Sequence, residues 1–191
     1  MTWEKIHFFW GDERYVPHDH AESNYRMACE TFINHIAIPE SNIHPFLTRL
    51  APEQAAERYE ADLRSHFNLD QNEIPQFDLI LLGMGKDGHT ASLFPHAAVL
   101  REKDRLAAAY FVQKIDSFRL TLTIPVLNHA ETVIFLIAGT SKAEPLKYAL
   151  DGIHLPLRWP AQLIQPQQGK LTWMVERSAA ELLSPSTGNY I

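Results

Sequence analysis

Short apolar runs alternate with amphipathic segments along the chain, and this alternation predicts strands that alternate with helices. One mostly apolar run covers residues 77–82 and leads directly into Gly83. A short continuous run of this kind, bounded by turn residues, is typical of a strand that is buried on both faces. We therefore expect residues 77–82 to form a central strand of a sheet.

The remaining segments predict an α/β fold. Further strands are expected at residues 5–10, 107–112, 119–124, 132–138 and 171–175. Helices are expected at residues 25–36, 52–67, 141–150 and 178–183. This order predicts a three-layer, mainly parallel, Rossmann-like sheet with helices on both faces. A length of 191 residues suits one domain, so we expect a single domain over residues 1–191.

Three glycines follow the expected central strand, at Gly83, Gly85 and Gly88. They match the G-x-G-x-x-G pattern of dinucleotide-binding proteins, but Pro95 comes too early for the long helix that this motif requires. Asp87 would also bring a carboxylate towards a pyrophosphate, which favours N–H groups and positive dipoles. A dinucleotide site is therefore disfavoured.

Polar clusters follow the ends of three predicted strands, at residues 12–14, 87–89 and 141–142. The carboxyl ends of parallel strands meet at one edge of a sheet, so we expect these clusters to lie together. Arg14 offers a planar guanidinium, and Lys142 offers a compact ammonium near a helix N-terminus; both suit a phosphate group. With His89 beside them, the sequence predicts a site for a phosphorylated small molecule.

Composition limits the classes of partner. The net charge of −6 argues against nucleic acids and anionic membranes as partners. No apolar run is long enough to cross a bilayer. Cys29 is the only cysteine, so an internal disulfide is excluded and a reducing compartment fits best. We expect a cytoplasmic location.

Longer motifs give the chain a specific resemblance to a known family. It resembles the 6-phosphogluconolactonases, relatives of the glucosamine-6-phosphate deaminases, in five segments in the same order: WGDERYVPHDHAESNYRMA, GMGKDGHTASLFP, RLTLTIPVLNHA, GTSKA and LTWMVERSAAELL. The deaminases carry A-F-N-E-P after the histidine, where this chain has A-S-L-F-P without the glutamate. They also carry tyrosine in place of Arg14. Both differences favour the lactonases.

The resemblance implies hydrolysis of 6-phospho-D-glucono-1,5-lactone, a small sugar-phosphate lactone, in the oxidative branch of the pentose phosphate pathway. It implies no metal and no organic cofactor. His89 would activate the water, since a histidine with an ordinary pKa of about 6.5 exchanges protons at neutral pH. Either Asp87 or Asp12 would orient the imidazole or balance its charge.

The other candidates would bind the substrate: they are Arg14, Lys142, Asn24, Gly85, Gly88 and Arg119. The cations Arg14 and Lys142 would hold the 6-phosphate. Backbone N–H groups of the glycine loop would donate hydrogen bonds to the oxyanion. Asn24 belongs to the S-N pair of the family, and Arg119 opens its R-x-T-L-T strand.

The chain also departs from the family pattern. Family members begin some tens of residues earlier, with a strand, a G-G-S-T-P loop that helps to bind phosphate, and a helix; no G-G-S-T-P occurs here. The comparison predicts an N-terminally truncated domain that lacks its first βα unit and self-associates through the exposed sheet edge. Two alternatives to a lactonase stay open: a glucosamine-6-phosphate deaminase-like isomerase and an inactive sugar-phosphate-binding remnant.

Overall fold

The computed structural model describes residues 2–187. In this range strands and helices are interspersed along the chain without strict alternation. The strands are β1 (Phe8–Phe9), β2 (Asp12–Arg14), β3 (Ile43–His44), β4 (Ile80–Leu82), β5 (Ala107–Val112), β6 (Ser117–Leu122), β7 (Thr132–Ile137) and β8 (Lys170–Val175). The α-helices are α1 (Asn24–Thr31), α2 (Pro52–Phe67), α3 (Ile124–Asn128), α4 (Ala143–Leu150) and α5 (Arg177–Ala180). Short 3-10 helices connect several of these elements.

The chain divides into two compact units. The first contains the residues up to Glu73 together with Arg105–Leu122, and the second contains Ile74–Asp104 together with the residues from Thr123 onwards. The first unit therefore holds β1–β3, β5, β6, α1 and α2, whereas the second holds β4, β7, β8 and α3–α5. The single domain expected from the chain length stays a prediction.

Helix α2 packs against β5 and β6 in the first unit. It begins at Pro52, which is tolerated there because the first N–H groups of a helix have no helical partner. Its buried residues are Ala55, Ala56, Tyr59 and Leu63, as the apolar spacing predicts. The Tyr59 hydroxyl accepts a hydrogen bond from the backbone N–H of Trp10 at 2.8 Å, and it donates one to the backbone O of Trp10 at 2.9 Å. These two bonds fix the segment that leads into β2.

The α/β class, with parallel sheets and helices, is confirmed. The first unit contains a parallel pair, β1–β3, but also an antiparallel sheet in the order β2–β6–β5, which the sequence analysis did not predict. Strands β5 and β6 are antiparallel because their connection is very short. The 3-10 helix Gln113–Ile115 and Asp116, whose φ is +47°, reverse the chain there. Parallel neighbours would need a crossover of a dozen or more residues.

The second unit contains a parallel sheet in the order β4–β7–β8. One face of this sheet is buried through Ile80, Leu82, Val133, Phe135 and Ile137. On the other face, Leu81, Leu136 and Met174 are between 50% and 58% exposed. The burial on both faces that was expected for residues 77–82 is therefore wrong. Successive residues of a strand point to opposite faces, and in the described part of the chain only one of these faces is buried.

Most predicted element bounds agree with the structure. Strand β5 and helix α2 span the expected residues, while the helix expected at residues 141–150 is a 3-10 helix, Thr140–Lys142, followed by α4. The strand expected at residues 5–10 is only β1, because a 3-10 helix at Trp3–Lys5 precedes it. Within the described residues, no helix combines the length and the apolar character needed to cross a membrane.

His96 has a left-handed backbone, with a φ of +62°. This conformation costs an L-residue about 1–2 kcal/mol of folding free energy, a cost that glycine does not have. Glycine has a smaller cost of about 0.5–1 kcal/mol, because it loses more conformational freedom on folding. We expect His96→Gly to raise the free energy of unfolding, measured by urea denaturation, by up to about 1 kcal/mol. His154→Gly is the matched control, since His154 is also exposed but has no positive φ. The His154→Gly variant should have a lower free energy of unfolding than the unmodified chain. An equal decrease in both variants would contradict the prediction.

Candidate active site

The candidate residues fall into two groups, one in each unit. The first unit holds Asp12, Arg14, Asn24 and Arg119. The second unit holds Gly85, Asp87, Gly88, His89 and Lys142. Hydrogen bonds and strand pairing inside each unit bring the members of each group together.

In the first unit, Asn24 connects Asp12 to Arg14. Its Nδ2 donates to the backbone O of Asp12 at 2.9 Å, and its Oδ1 accepts a hydrogen bond from the Arg14 guanidinium. The guanidinium also donates to the backbone O of Glu22 at 3.2 Å. Both acceptors of Arg14 are neutral, so these bonds orient the guanidinium without cancelling its charge. The predicted residues Asp12, Arg14 and Asn24 therefore form one hydrogen-bonded cluster.

Glu13 holds this cluster in place, and the sequence analysis did not single it out. Its side chain is buried, at 1% exposure, and Oε1 accepts the N–H groups of Arg14 at 2.8 Å and Asn24 at 2.7 Å. Its Oε2 accepts the N–H of Tyr25 at 2.7 Å and the Ser23 hydroxyl at 3.1 Å. Two of these donors belong to the first turn of α1, where the helix dipole favours a negative charge. The carboxylate is therefore satisfied and fixes the backbone of two candidate residues.

Arg119 on β6 lies directly opposite Arg14 on β2 in the sheet register. Burial lowers the pKa of the Arg119 guanidinium, and the positive charge of Arg14 lowers it further. Like charges that face each other across a strand pair are destabilising, and a bound anion would relieve this repulsion. The structure therefore makes Arg119 a stronger phosphate-binding candidate than the sequence does.

In the second unit, the loop after β4 brings Asp87 and His89 together. Nδ1 of His89 lies 2.5 Å from Oδ1 of Asp87, and the ring of Phe94 stacks on the imidazole at a centroid distance of 4.1 Å. A carboxylate only accepts hydrogen bonds, so the proton is assigned to Nδ1, and Nε2 keeps its lone pair. The His89 side chain is 27% exposed, which gives it access to water. Of the two carboxylates considered, Asp87 supplies this hydrogen bond.

Gly85 and Gly88 shape this loop. The N–H of Gly85 donates to O of His89 at 2.8 Å, and the N–H of Gly88 donates to O of Gly85 at 3.0 Å. These two N–H groups are therefore used inside the loop, and the expectation that a backbone N–H of the loop donates to an oxyanion stays a prediction for the other residues of the loop. A Cβ atom on Gly85 would overlap the His89 imidazole. Gly88 has a φ of +76°, and a Cβ atom there would lie 2.5 Å from Cε3 of Trp159. Both glycines act by leaving room for their neighbours.

Lys142 lies beyond the end of β7, the strand next to β4 in the parallel sheet. Its Nζ donates to O of Met84 at 2.6 Å, which ties the ammonium to the start of the loop that carries Asp87 and His89. An ammonium has three N–H groups, so this bond leaves two for a ligand. The expected meeting of polar residues at the carboxyl ends of parallel strands is confirmed for this pair of strands.

The third polar cluster, at residues 12–14, follows the parallel strand β1, as the sequence predicts, while its position beside the other two clusters stays a prediction. These residues form β2 itself, which pairs antiparallel with β6. The hydrogen bond from N of Leu122 to O of Gly11, at 2.8 Å, shows that contact with β6 already begins at Gly11. The polar residues therefore belong to a strand, where alternate side chains point to opposite faces.

A cavity of about 470 Å³ in the second unit has no candidate residue in its lining. Its walls combine apolar side chains such as Leu100 and Leu163 with polar ones such as Asn128 and His129. Size alone does not make a reactive site, because catalysis needs the reacting groups in contact with the substrate. We do not assign this cavity to the candidate site.

Among the described residues, one group of three side chains has the spacing of a metal site: His7, His44 and His66 in the first unit. The sequence analysis missed this group. Its members are far apart along the chain and match no known ligand spacing, so only the fold brings them together.

Comparison with known proteins identifies the family of the chain. The family model described as glucosamine-6-phosphate isomerases/6-phosphogluconolactonase matches residues 1–173. A 6-phosphogluconolactonase of Synechocystis sp. is 49% identical over 186 residues, which cover 97% of this chain and 76% of that protein. The 6-phosphogluconolactonase of Homo sapiens is 46% identical over 175 residues, which cover 91% of this chain and 66% of that protein. The crystal structure of the Thermotoga maritima 6-phosphogluconolactonase matches with a TM-score of 0.78 and 37% identity, covering 92% of this chain and 74% of that one.

The fold is that of an α/β protein in which the hydrogen-bonded side chains of Asp87 and His89 lie just beyond the end of a parallel strand. The chain belongs to the glucosamine-6-phosphate isomerase/6-phosphogluconolactonase family. The predicted enzyme class, a carboxylic ester hydrolase of the 6-phosphogluconolactonase type, is confirmed by these relatives. The chain spans about three quarters of the length of the Synechocystis relative.

Proposed function

We propose that the chain hydrolyses 6-phospho-D-glucono-1,5-lactone to 6-phospho-D-gluconate, in the oxidative branch of the pentose phosphate pathway, with His89 as the general base. The observation that carries this proposal is the 2.5 Å hydrogen bond between Nδ1 of His89 and Oδ1 of Asp87. The family of the chain supports the choice of substrate.

The first step is the attack of water on the lactone carbonyl. Nε2 of His89 accepts a proton from the water molecule while the water oxygen bonds to the carbonyl carbon. The π electrons of the C=O bond move onto the carbonyl oxygen, which gives a tetrahedral oxyanion. The imidazole becomes positively charged, and the carboxylate of Asp87 stabilises that charge through the bond to Nδ1. Asp87 thus acts through His89, as a positioning residue.

The second step opens the ring. The oxyanion re-forms the C=O bond as the bond between the carbonyl carbon and the ring oxygen breaks, and the imidazolium of His89 returns its proton to the departing oxygen. The products are a carboxylic acid and a hydroxyl group, so one water molecule is consumed and His89 ends neutral. A single imidazole can serve both steps because the proton that it accepts in the first step is the one that it returns in the second.

The cationic candidates have the chemistry to bind the phosphate. Arg14 and Arg119 face each other in the first unit, and Lys142 has N–H groups left for a ligand in the second. Guanidinium and ammonium groups form charge-assisted hydrogen bonds with phosphate oxygens. Asn24, which orients the Arg14 guanidinium, is the neutral member of this set.

Deamination of glucosamine 6-phosphate is the rival activity. The deaminases carry a glutamate after the corresponding histidine, whereas this chain carries Phe94 in that segment, and its ring stacks on His89. A phenyl ring cannot exchange a proton, which favours the lactonase.

The test compares three substrates with the purified chain: the phosphorylated lactone, unphosphorylated glucono-1,5-lactone and glucosamine 6-phosphate. We expect acid release from the phosphorylated lactone above its spontaneous rate, slower release from the unphosphorylated one, and no ammonia. Ammonia release without lactonase activity would replace the proposal by the isomerase. Inactivity towards all three would support an inactive sugar-phosphate-binding protein.

Arg14→Ala is expected to raise KM for the phosphorylated lactone by about 10–150-fold, because a charged hydrogen bond contributes roughly 1.5–3 kcal/mol. The value of kcat/KM for unphosphorylated gluconolactone should stay near that of the unmodified chain, since that substrate has no phosphate. Steady-state kinetics with both lactones measure the difference. Arg58→Ala is the control, because Arg58 is an exposed arginine of α2 that pairs with Asp62. Equal effects of Arg14→Ala on both lactones would exclude Arg14 from the phosphate site.

A further inference from the structure

Three histidines of the first unit converge although they come from different elements. His7 precedes β1, His44 ends β3, and His66 lies in the last turn of α2. One ring nitrogen from each lies within 4.8 Å of the other two. Nδ1 of His7 is only 3.0 Å from Nε2 of His44. The parallel pairing of β1 with β3 brings the first two together, and α2 supplies the third.

Two of the three rings, those of His44 and His66, lie where the neutral imidazole form is favoured. Burial, together with the neighbouring His66 and His7, lowers the pKa of His44 to about 4. Burial and His7 also lower the pKa of His66. Neutral imidazole keeps a lone pair on one nitrogen, which is the form that binds a transition metal. Within residues 2–187, no carboxylate lies at salt-bridge distance from any of the three rings.

Aromatic side chains surround the cluster and hold its rings. The Phe9 ring stacks on His44 with an interplanar angle of 3° and a centroid distance of 4.1 Å, and it meets the edge of His66 at 5.0 Å. The Phe67 ring packs against His66 at 5.0 Å. Ring contacts of this kind fix the orientation of the imidazoles, as second-layer residues do in metal sites.

We propose that His7, His44 and His66 bind one Zn²⁺ ion. Three histidines with a water molecule in the fourth position form a recognised zinc coordination set. Zinc–nitrogen bonds of 2.0–2.1 Å in a tetrahedral site place the ligand nitrogens about 3.3 Å apart. The nitrogens here are already 3.0 Å apart in one pair and within 4.8 Å in the others, so modest ring movements suffice. His7 and His66 are exposed, which allows such movements and leaves a path for the ion.

Bound zinc would connect the last turn of α2 to the ends of β1 and β3. A ligand that binds only the folded state stabilises it, so the melting temperature of the chain should rise with zinc concentration. The site uses none of the residues proposed for lactone hydrolysis, and its test does not depend on enzymatic activity.

The experiment uses the full chain without an affinity tag, freed of metal by a chelator, and titrated with ZnCl₂ by calorimetry. We expect one zinc ion per chain and a higher melting temperature when zinc is present. His7→Gln and His66→Gln should each weaken binding by at least about tenfold, since even the loss of a supporting contact costs 10–100-fold. His154→Gln, which changes an exposed histidine outside the cluster, should bind zinc like the unmodified chain.

Circular dichroism of the metal-free variants shows whether weaker binding comes from loss of a ligand or from loss of the fold. Because His7 and His66 are exposed, we expect their glutamine variants to fold. Substitution with Co²⁺ gives a second readout, because a site of three imidazoles and a water molecule should produce visible absorption bands. A variant that combines His7→Gln, His44→Gln and His66→Gln should lack these bands. Unchanged zinc affinity in His7→Gln and His66→Gln would overturn the proposal. Absence of a one-to-one zinc complex in the unmodified chain would overturn it as well.

Discussion

Replacing His89 with asparagine is expected to lower kcat for the phosphorylated lactone by about 10²–10⁴-fold, the usual contribution of a general acid–base residue. The side-chain N–H of asparagine can replace Nδ1 and keep a hydrogen bond to Asp87. It has no counterpart of Nε2 and cannot take a proton from water. KM should change little, because the cations proposed to bind phosphate are unaltered. The measurement is the rate of acid release, corrected for spontaneous hydrolysis.

The control for this variant is His154→Asn, which makes the same chemical change at an exposed histidine outside both groups of candidate residues. It should keep the full rate. A His89→Asn chain with the rate of the unmodified protein would show that another group activates the water.

Asp87 could be named from sequence as one of two possible partners of His89, beside Asp12, because the geometry of this hydrogen-bonded pair is local. Asp87 and His89 are two residues apart in one glycine loop, and the apolar run before them marks the end of a strand. Lys142 could be placed with them by the same reasoning, because β4 and β7 both end in glycine-bounded turns and lie side by side. Where local pattern and the rule for parallel strands were sufficient, the expectation was correct.

The errors arose where the structure depends on non-local pairing. Residues 12–14 have the polarity of a loop, yet they form β2 because β6 supplies a partner strand from far along the chain. Glu13 looks like one more solvated charge in the sequence, and only the start of α1 supplies the donors that make its burial favourable. The cluster of His7, His44 and His66 likewise exists only after two strands and a helix have met.

The exposed face of the parallel sheet shows a different limit of sequence reasoning. The run at residues 77–82 is apolar at nearly every position, which predicts burial on both sides. In the described residues, Leu81 is 58% exposed while Leu82 is 5% exposed. An apolar pattern indicates which surfaces favour burial, but it does not indicate whether another layer of helices or strands is present to cover them.

A single methyl group at Gly85 is expected to have the second large effect. A Cβ atom there would overlap Nδ1 and Cε1 of His89 and would lie 2.9 Å from Oδ1 of Asp87. The φ of Gly85 is not positive, so alanine fits the backbone and the conflict falls on the imidazole. The ring must move by about 1 Å, and a displacement of this size costs about 10²-fold in rate. Gly85→Ala should therefore lower kcat by at least about 10²-fold, while circular dichroism shows a folded chain.

Gly83→Ala is the matched control, since a Cβ atom on Gly83 would have no neighbour within 4 Å and its φ is also not positive. It should keep the rate of the unmodified chain. Gly88→Ala should lower both the stability and the rate, because Gly88 has a positive φ and a Cβ atom there would collide with the Trp159 ring. Histidine resonances in NMR spectra distinguish these cases, since only a displaced His89 loses the proton shared with Asp87. Equal rates for Gly83→Ala and Gly85→Ala would mean that the close approach of the imidazole to Gly85 is not needed for the reaction.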